Sequence, residues 1–177
     1  MAPLPPEQWD DETTALLGGG SKINIFATLA HHPKLMKRWM VFGNHVLAKS
    51  TLSARDREIL ILRTGWNCRA PYEWGQHVAI ARGIGITDDD VARIAAGAAA
   101  PGLDPFEACL LRAADELHND DSLSDATYAE LARRYDEKQM LDLVFTVGQY
   151  HLVSMALNSM RVQRDDGVTG VPMPERA

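Results

Sequence analysis

Helix start signals recur along the whole chain, and no segment alternates strongly between apolar and polar residues as a half-buried strand would. Segment after segment opens with proline, which suits the first helical position, or with a Ser, Thr or Asp that can cap the backbone. The predicted helices are Pro5–Leu17, Asn24–Ala30, one opened by Pro33, one opened by Ser53, Tyr72–Arg82, Val91–Ala96, Pro105–His118, Ser124–Arg134 and Glu137–Arg164. The chain is therefore predicted to be all-α.

The length of the chain suits one domain. Its 177 residues can bury a sizeable core but hardly two, so we expect a single domain over 1–177, with its core at about 24–162. Residues 1–20 and 165–177 should be peripheral, and the Gly and Pro residues beyond Asp165 predict a loose tail or an arm that wraps a neighbour. The long C-terminal helix is mostly apolar, which favours a homo-oligomer.

Charge and composition exclude several classes of partner. The net charge of -6 and a pI near 5.5 argue against nucleic acid, whose phosphates require a basic surface. No signal peptide opens the chain and the apolar runs are short, so we expect no membrane partner and a cytoplasmic location. The two cysteines, Cys68 and Cys109, form no CxxC, and the histidines show no metal-ligand spacing. We therefore predict no disulfide, no metal and no cofactor.

The segment Pro71–His77 carries the clearest chemical signal. Glu73 and His77 are four residues apart, a spacing that places both side chains on one face of a helix. Glu58 lies fifteen residues before Glu73, at the head of an aliphatic run that predicts a buried helix. The short connection Asn67–Ala70 predicts that the two helices pack antiparallel and bring Glu58 alongside the pair, at a distance that the sequence leaves open.

Two interpretations of these residues are open from the sequence. Glu73 and His77 could be a solvated pair worth about 0.2–0.5 kcal/mol, with Glu58 a first-turn acid at the surface. Apolar neighbours favour burial instead, where an unpaired charge is costly and a Glu beside a His can act as a general acid or base. The aromatic candidates for shaping a substrate pocket are Trp66, Tyr72, Trp74 and Tyr150.

Several motifs together resemble the carboxymuconolactone decarboxylase family, whose superfamily includes the alkylhydroperoxidase-D-like proteins. They are Leu52–Glu58 with the aliphatic run after it, Pro71–His77 and Ala81–Gly85. The resemblance covers about 24–162 and is strongest at 52–96. It implies an all-α, alkylhydroperoxidase-D-like bundle with a central antiparallel helix pair, and homo-oligomers that are often trimers or hexamers.

The resemblance is to two branches of that superfamily at once. The peroxidase branch has a Glu early in the aliphatic helix, then CxxC, then a His four residues after the second Cys. Glu58 and His77 match it, but Ala70 and Glu73 stand at the two cysteine positions. The decarboxylase branch lacks the cysteines and has a Glu four residues before its His, as Glu73 is here; Glu58 departs from it. The chain resembles a cysteine-free variant of the CxxC motif.

The resemblance implies an enzyme that decarboxylates or isomerises a small organic acid or lactone by acid–base chemistry, a task typical of aromatic catabolism. We expect His77 to be the proton donor or electrophile, Glu73 to orient it, and Glu58 to be a second acid/base or a relay. Two alternatives stay open: an alkylhydroperoxidase-like antioxidant protein that reduces peroxides, and a non-catalytic helical oligomer. In the second, the three residues would form only a buried polar network.

Overall fold

The structure is a computed structural model that describes residues 1–18, 23–168 and 173. All regular structure in these residues is helical: a short 3-10 helix at Pro6–Gln8 and nine α-helices. The α-helices are α1 Asp11–Leu17, α2 Asn24–Leu29, α3 Pro33–Ala48, α4 Ala54–Asn67, α5 Pro71–Gly83, α6 Asp88–Ala96, α7 Pro105–Asn119, α8 Asp125–Leu131 and α9 Glu137–Met160. The all-α prediction is confirmed.

Local capping explains where most helices begin. The Ser53 side chain accepts the Asp56 N–H at the start of α4. Thr87 and Asp90 form a reciprocal capping box on α6, and Asp136 begins another on α9. Helices α3, α5 and α7 each carry proline in the first turn. These starts agree with the sequence prediction to within one residue, because capping depends on neighbouring residues only, except that α6 begins at Asp88 and not at the predicted Val91.

The N-terminal helix differs from its prediction of Pro5–Leu17. The 3-10 helix ends at Gln8, and Asp10 then caps α1 by accepting the Thr13 N–H at 2.7 Å. A strong capping residue inside the segment therefore divides it in two. Gly18 ends α1 in the left-handed region, at a φ of 62°; Gly19 and Gly20 lie outside the described residues.

Two other helices end earlier than predicted. The helix expected to reach Arg134 stops at Leu131, because the chain turns to bury Tyr135 and to let its hydroxyl donate to Asp56 Oδ2 at 2.8 Å. The helix expected to reach Arg164 stops at Met160, where Arg161 takes a φ of 53°. The first helix end is set by a tertiary contact and the second by the left-handed backbone conformation of Arg161, and neither follows from composition.

Helix α4 is the centre of the bundle and packs against α5, α6, α7 and α9. Residues Ile59 to Leu62 are all buried, as the aliphatic run predicted, and Glu58 directly before them is buried as well. Full burial of one large aliphatic side chain contributes about 1.5–3 kcal/mol, so this run is a major source of stability. Core residues packed around α4 include Val78, Val91, Leu110, Leu111, Leu143 and Val147.

A three-residue turn joins α4 to α5 and makes them antiparallel. Arg69 adopts a φ of 49°, and the Ala70 N–H donates to the Gly65 carbonyl at 3.0 Å. Glu58, near the start of α4, consequently lies against the middle of α5, while Gly65 lies near Glu73. This is the predicted central antiparallel pair.

Arg63 links α4 to the helices on its other side. Its guanidinium donates to the carbonyls of Ile94 and Ala95 at 3.1 and 2.7 Å, and forms two hydrogen bonds with Asp115. Gly97 follows with a φ of 96°, and an added Cβ there would be 2.8 Å from Arg63 Nη2. The C-terminal half of α4 is thereby held against both α6 and α7.

Helix α9 combines a buried and an exposed apolar side. Among the described residues it is the one helix long and apolar enough to cross a membrane, by length and composition only, and half of that stretch is buried in the fold. A core helix has the same properties. Its exposed large apolar residues are Leu141, Val144, Phe145, Leu152, Met155 and Met160. The homo-oligomer, the absence of a membrane partner and the cytoplasmic location stay predictions.

Candidate active site

Two carboxylates contact opposite nitrogens of one buried imidazole. His77 Nδ1 lies 2.7 Å from Glu58 Oε2, and His77 Nε2 lies 2.9 Å from Glu73 Oε1. The relative exposures of Glu58, Glu73 and His77 are 0, 4 and 6%. The three residues are therefore not a solvated surface pair, and the structure brings them together as the helix spacing and the antiparallel turn predicted.

The local helices explain this arrangement. Glu73 and His77 share one face of α5, and Glu58 reaches them from α4 because it directly precedes the buried aliphatic run. Arg57 supplies a further charge, with its Nε 3.5 Å from Glu58 Oε1. The two carboxylates, the Arg57 guanidinium and a protonated His77 balance in charge, which is the condition under which buried charges are tolerated.

The carboxylates keep the His77 ring charged. Burial is the largest single influence on its pKa and lowers it, but the combined charges and hydrogen bonds of Glu73 and Glu58 outweigh burial. The pKa of His77 is consequently raised from 6.5 to about 9. At neutral pH the ring holds a proton on each nitrogen and donates toward both carboxylates.

Glu73 and His77 lie in the wall of a cavity of about 160 Å³. A buried apolar cavity of about 150 Å³ holds a benzene molecule, so this volume suits a small ring compound. Much of the wall is apolar, with Ile25, Phe26, Trp39, Met40, Leu47 and Ile80. The polar lining residues are Asn44, Tyr72, Glu73, Gln76, Gln149 and Tyr150, together with His77. No lysine or arginine lines the cavity among the described residues.

Tyr150 lines the same cavity. Its ring stands edge-on to His77, with ring centroids 4.9 Å apart and an interplanar angle of 87°. Burial, and then the charges of Glu73 and Glu58, raise the pKa of Tyr150 well above 10, so its hydroxyl stays protonated. Its hydroxyl forms no hydrogen bond with any residue that the structure describes, so a ligand in the cavity could accept one.

Asp165 ties the segment after α9 to the rim of the cavity. Its Oδ1 accepts the Asn24 N–H at 2.7 Å, and its Oδ2 accepts the Tyr72 hydroxyl at 2.8 Å and the Gln76 side chain. The Tyr72 hydroxyl also accepts the Ile25 N–H at 3.1 Å. Asp165, the first residue of the segment predicted to be a loose tail or an arm that wraps a neighbour, is therefore bonded within its own chain and is not loose. Residues 169–172 and 174–177 lie outside the described structure, and the arm stays a prediction.

Two predicted pocket residues lie elsewhere. Trp74 is 1% exposed in the main core, and Trp66 packs against it with ring centroids 5.0 Å apart. Neither belongs to the lining of the cavity beside His77. Successive helical residues point about 100° apart, so Trp74 faces the core while its neighbour Glu73 faces the cavity. The proposed pocket role of Trp66 and Trp74 is corrected to core packing.

Several residues that line the cavity carry no distinctive signal in the sequence. Trp39 and Met40 come from α3, and Gln149 from α9 next to Tyr150. The sequence signal of Trp39 and Met40 was only helical apolar spacing, which core residues share, and the polar Gln149 gave no such signal. Cys68 is in a different place: it lines another cavity, with its Sγ 3.8 Å from His118 Nδ1.

Comparison with known proteins gives a family and a fold. The model of the carboxymuconolactone decarboxylase family matches residues 33–116. Comparison with curated proteins finds no significant match.

Solved structures with the same fold include proteins described as peroxidase-related. One, the alkylhydroperoxidase AhpD core from Ralstonia eutropha JMP134, has a TM-score of 0.78 at 17% identity, covering 93% of this chain and 91% of that chain. A protein from Silicibacter sp. TM1040 has a TM-score of 0.79 at 15% identity, with the same coverage. A debrominase in complex with 2,3,4-tribromopyrrole has a TM-score of 0.76 at 15% identity, again covering 93% and 91%. At these identities the likeness shows the fold alone.

Proposed function

Because residues 33–116 of this chain match the model of the carboxymuconolactone decarboxylase family, we propose that the protein is an enzyme of cofactor-free acid–base chemistry. Its substrate is a small organic acid or lactone, and its reaction is decarboxylation or isomerisation. One observation carries the proposal: an imidazole held between two buried carboxylates at the wall of a benzene-sized cavity. The imidazole holds a proton beside the cavity, where a bound ligand that is shielded from water could accept it.

The geometry favours a division of labour between Glu73 and His77. Both ring nitrogens of His77 already face carboxylates, so the ring acts as the proton store. Glu73 touches the ring through Oε1 and also lines the cavity. Its Oε2 accepts no hydrogen bond from the described residues and is the atom best placed to meet a substrate. We therefore assign the proton transfer to Glu73, with His77 supplying it and Glu58 holding the ring in place.

Both reactions balance with these groups. In decarboxylation, the bond from the substrate carbon to its carboxylate breaks, carbon dioxide leaves, and the electron pair stays on the conjugated substrate as an enolate. A proton from the Glu73–His77 pair then goes to carbon and is replaced from water. In isomerisation, Glu73 removes a proton beside a carbonyl and returns it to another carbon. In each case the Tyr150 hydroxyl can donate to the developing oxyanion.

The cavity wall also limits the substrate. No lysine or arginine belongs to its described lining, and both ring nitrogens of the cationic His77 already face carboxylates. A neutral compound or a monoanion with an apolar body fits this wall better than a polyanion, whose desolvation would be uncompensated.

The two rival functions make different demands on the chain. Peroxide reduction by a dithiol requires two cysteines that can pair, and the motif positions hold Ala70 and Glu73. The fold neighbours include peroxidase-related proteins and a debrominase, so the fold alone does not select a reaction. A non-catalytic oligomer would have the same polar network but no turnover.

The test measures the incorporation of deuterium from the solvent into carbon–hydrogen positions of the substrate or product. The protein is incubated in D₂O with a panel of small unsaturated lactones and lactone acids, and NMR records carbon-bound deuterium while evolved carbon dioxide is measured. Replacing His77 by Gln should lower turnover by about 100-fold or more. The matched control is His45→Gln, a histidine beside Asp142 and outside this cavity, which should leave turnover unchanged.

Two results would contradict the proposal. One is near-normal deuterium incorporation by the His77→Gln protein. The other is an inert panel combined with hydroperoxide consumption that Cys68→Ser abolishes, which would move the protein to the antioxidant alternative.

A further inference from the structure

A second group of reactive side chains lies outside the cavity of His77. Cys68, His118 and His151 line a separate cavity, and one ligand atom from each lies within 4.8 Å of the others. Cys68 Sγ is 3.8 Å from His118 Nδ1, and the two imidazole rings have centroids 5.0 Å apart. We propose that these three side chains form a zinc-binding site. The inference is independent of the proposed function.

The distances suit a tetrahedral ion. With a Zn–S bond of about 2.3 Å and a Zn–N bond of about 2.0–2.1 Å, tetrahedral angles place the sulfur and nitrogen about 3.6 Å apart. The Cys68–His118 separation of 3.8 Å is already close to that value. All three ligand atoms lie within 4.8 Å of one another. Side-chain rotations that shorten the widest of these separations by about 1 Å would bring the atoms to tetrahedral distances. His118 and His151 are each half-buried, which leaves room for that rotation.

Three helices hold the ligands. Cys68 is the C-terminal cap of α4, and its carbonyl accepts the Asn158 side chain of α9 at 3.0 Å. His118 lies in the last turn of α7, and His151 on α9. The C-terminal ends of α4 and α7 therefore both approach the site, and the partial negative charge of a helix C-terminus favours a cation there.

The charges around the site are compatible with a divalent cation. The nearest acid on α7, Asp115, is bound to Arg63 and Asn67, so the Arg63 guanidinium is already neutralised. Arg69 also lines the cavity, but its side chain is exposed and can extend into solvent. A Cys68 thiolate with two neutral imidazoles leaves a bound zinc ion with one residual positive charge.

The chemistry of the three donor atoms indicates which metal ion the site would bind. One thiolate and two imidazoles are borderline-to-soft ligands, which suit zinc and disfavour magnesium and calcium, whose preferred ligands are oxygen atoms. Three protein ligands leave the fourth tetrahedral position to water or to a small ligand, as in zinc sites that are not purely structural. The side chains beside that position include Met155 and Ser159.

No short sequence motif marks this site. Its three ligands are separated by long stretches of chain, so no short motif contains two of them. The sequence prediction of no metal site rested on the missing short spacing, and it does not address ligands that tertiary packing assembles.

The test uses the untagged full-length protein after metal removal. Zinc is titrated against a chromogenic chelator, and cobalt(II) is added separately as a spectroscopic probe. We expect one zinc per chain, and cobalt spectra with tetrahedral visible bands and a thiolate-to-cobalt charge-transfer band. Cys68→Ser should abolish that band, and His118→Gln or His151→Gln should weaken zinc binding by at least about 10–100-fold, the usual loss for an outer-shell partner. His45→Gln is the matched control and should bind zinc as the wild type does.

Each variant is compared with the wild type by circular dichroism without metal. If Cys68→Ser does not fold, the two histidine variants decide the question. Zinc affinity that is equal in the wild type, His118→Gln and His151→Gln would overturn the proposal. A wild-type cobalt spectrum without a thiolate charge-transfer band would also overturn the proposal. Cys68 and His118 would then be only a thiol hydrogen-bonded to an imidazole.

Discussion

The raised pKa of His77 predicts that the protein loses stability as the pH rises from near neutral to alkaline. The ring titrates at about 9 in the folded protein and at 6.5 in the unfolded chain. Between these values the folded state binds more protons than the unfolded state, so the free energy of unfolding falls as the pH increases. The stabilising contribution is fully present below pH 6.5 and is lost as the pH passes through about 9.

The magnitude follows from the size of the shift. Each pKa unit corresponds to about 1.4 kcal/mol, so the shift from 6.5 to about 9 is worth about 3 kcal/mol. A domain of this kind has a total stability of about 5–15 kcal/mol, so the loss is large enough to measure. Burial of the site protects the interaction from screening by salt, and the loss should therefore change little with ionic strength.

The assay is urea unfolding at a series of pH values across this window, with the midpoint and slope fitted at each. Glu73→Gln is the matched control, because Glu73 makes the largest contribution that raises the His77 pKa and Gln has nearly the same shape. The stability of that variant should fall much less over the same window. NMR titration of the imidazole, assigned with His77→Gln, measures the pKa directly. A His77 pKa near 6.5, or equal losses of stability in the wild type and Glu73→Gln, would refute the electrostatic reasoning.

Three further predictions concern other parts of the structure. Tyr150→Phe keeps the ring contact with His77 but removes the hydroxyl, so turnover should fall by about 100-fold with little change in unfolding midpoint; unchanged turnover would exclude Tyr150 as an oxyanion donor. Asp165→Asn replaces one of the two accepting carboxylate oxygens by an amide NH2 group, which cannot accept a hydrogen bond from Tyr72 or the neighbouring donors. The free energy of unfolding in urea should fall by about 1–3 kcal/mol; an unchanged value would mean that these hydrogen bonds do not stabilise the fold. Phe145→Glu puts a charge on the exposed apolar side of α9 and should shift sedimentation from trimer or hexamer to smaller species; a wild-type monomer would contradict the oligomer prediction.

Features that depend on near neighbours in the chain could be predicted. Ser53, Thr87 and Asp136 mark helix starts because a cap and its N–H partner are two or three residues apart. The shared face of Glu73 and His77 follows from helical periodicity in the same way. Local rules failed where two signals competed within a few residues, as at Asp10, which caps α1 inside a segment that was predicted to be one helix.

The sequence by itself determined the all-α class, the central helix pair and the three ionisable residues of the site. Only the tertiary structure decided that Glu58 lies 2.7 Å from His77, that Trp74 faces the core, and that Asp165 reaches the rim of the cavity. Caps and periodicity act over one or two turns of helix. The cavity wall and the cluster around Cys68 are assembled from helices far apart in the chain, and which faces meet depends on how all the side chains pack together.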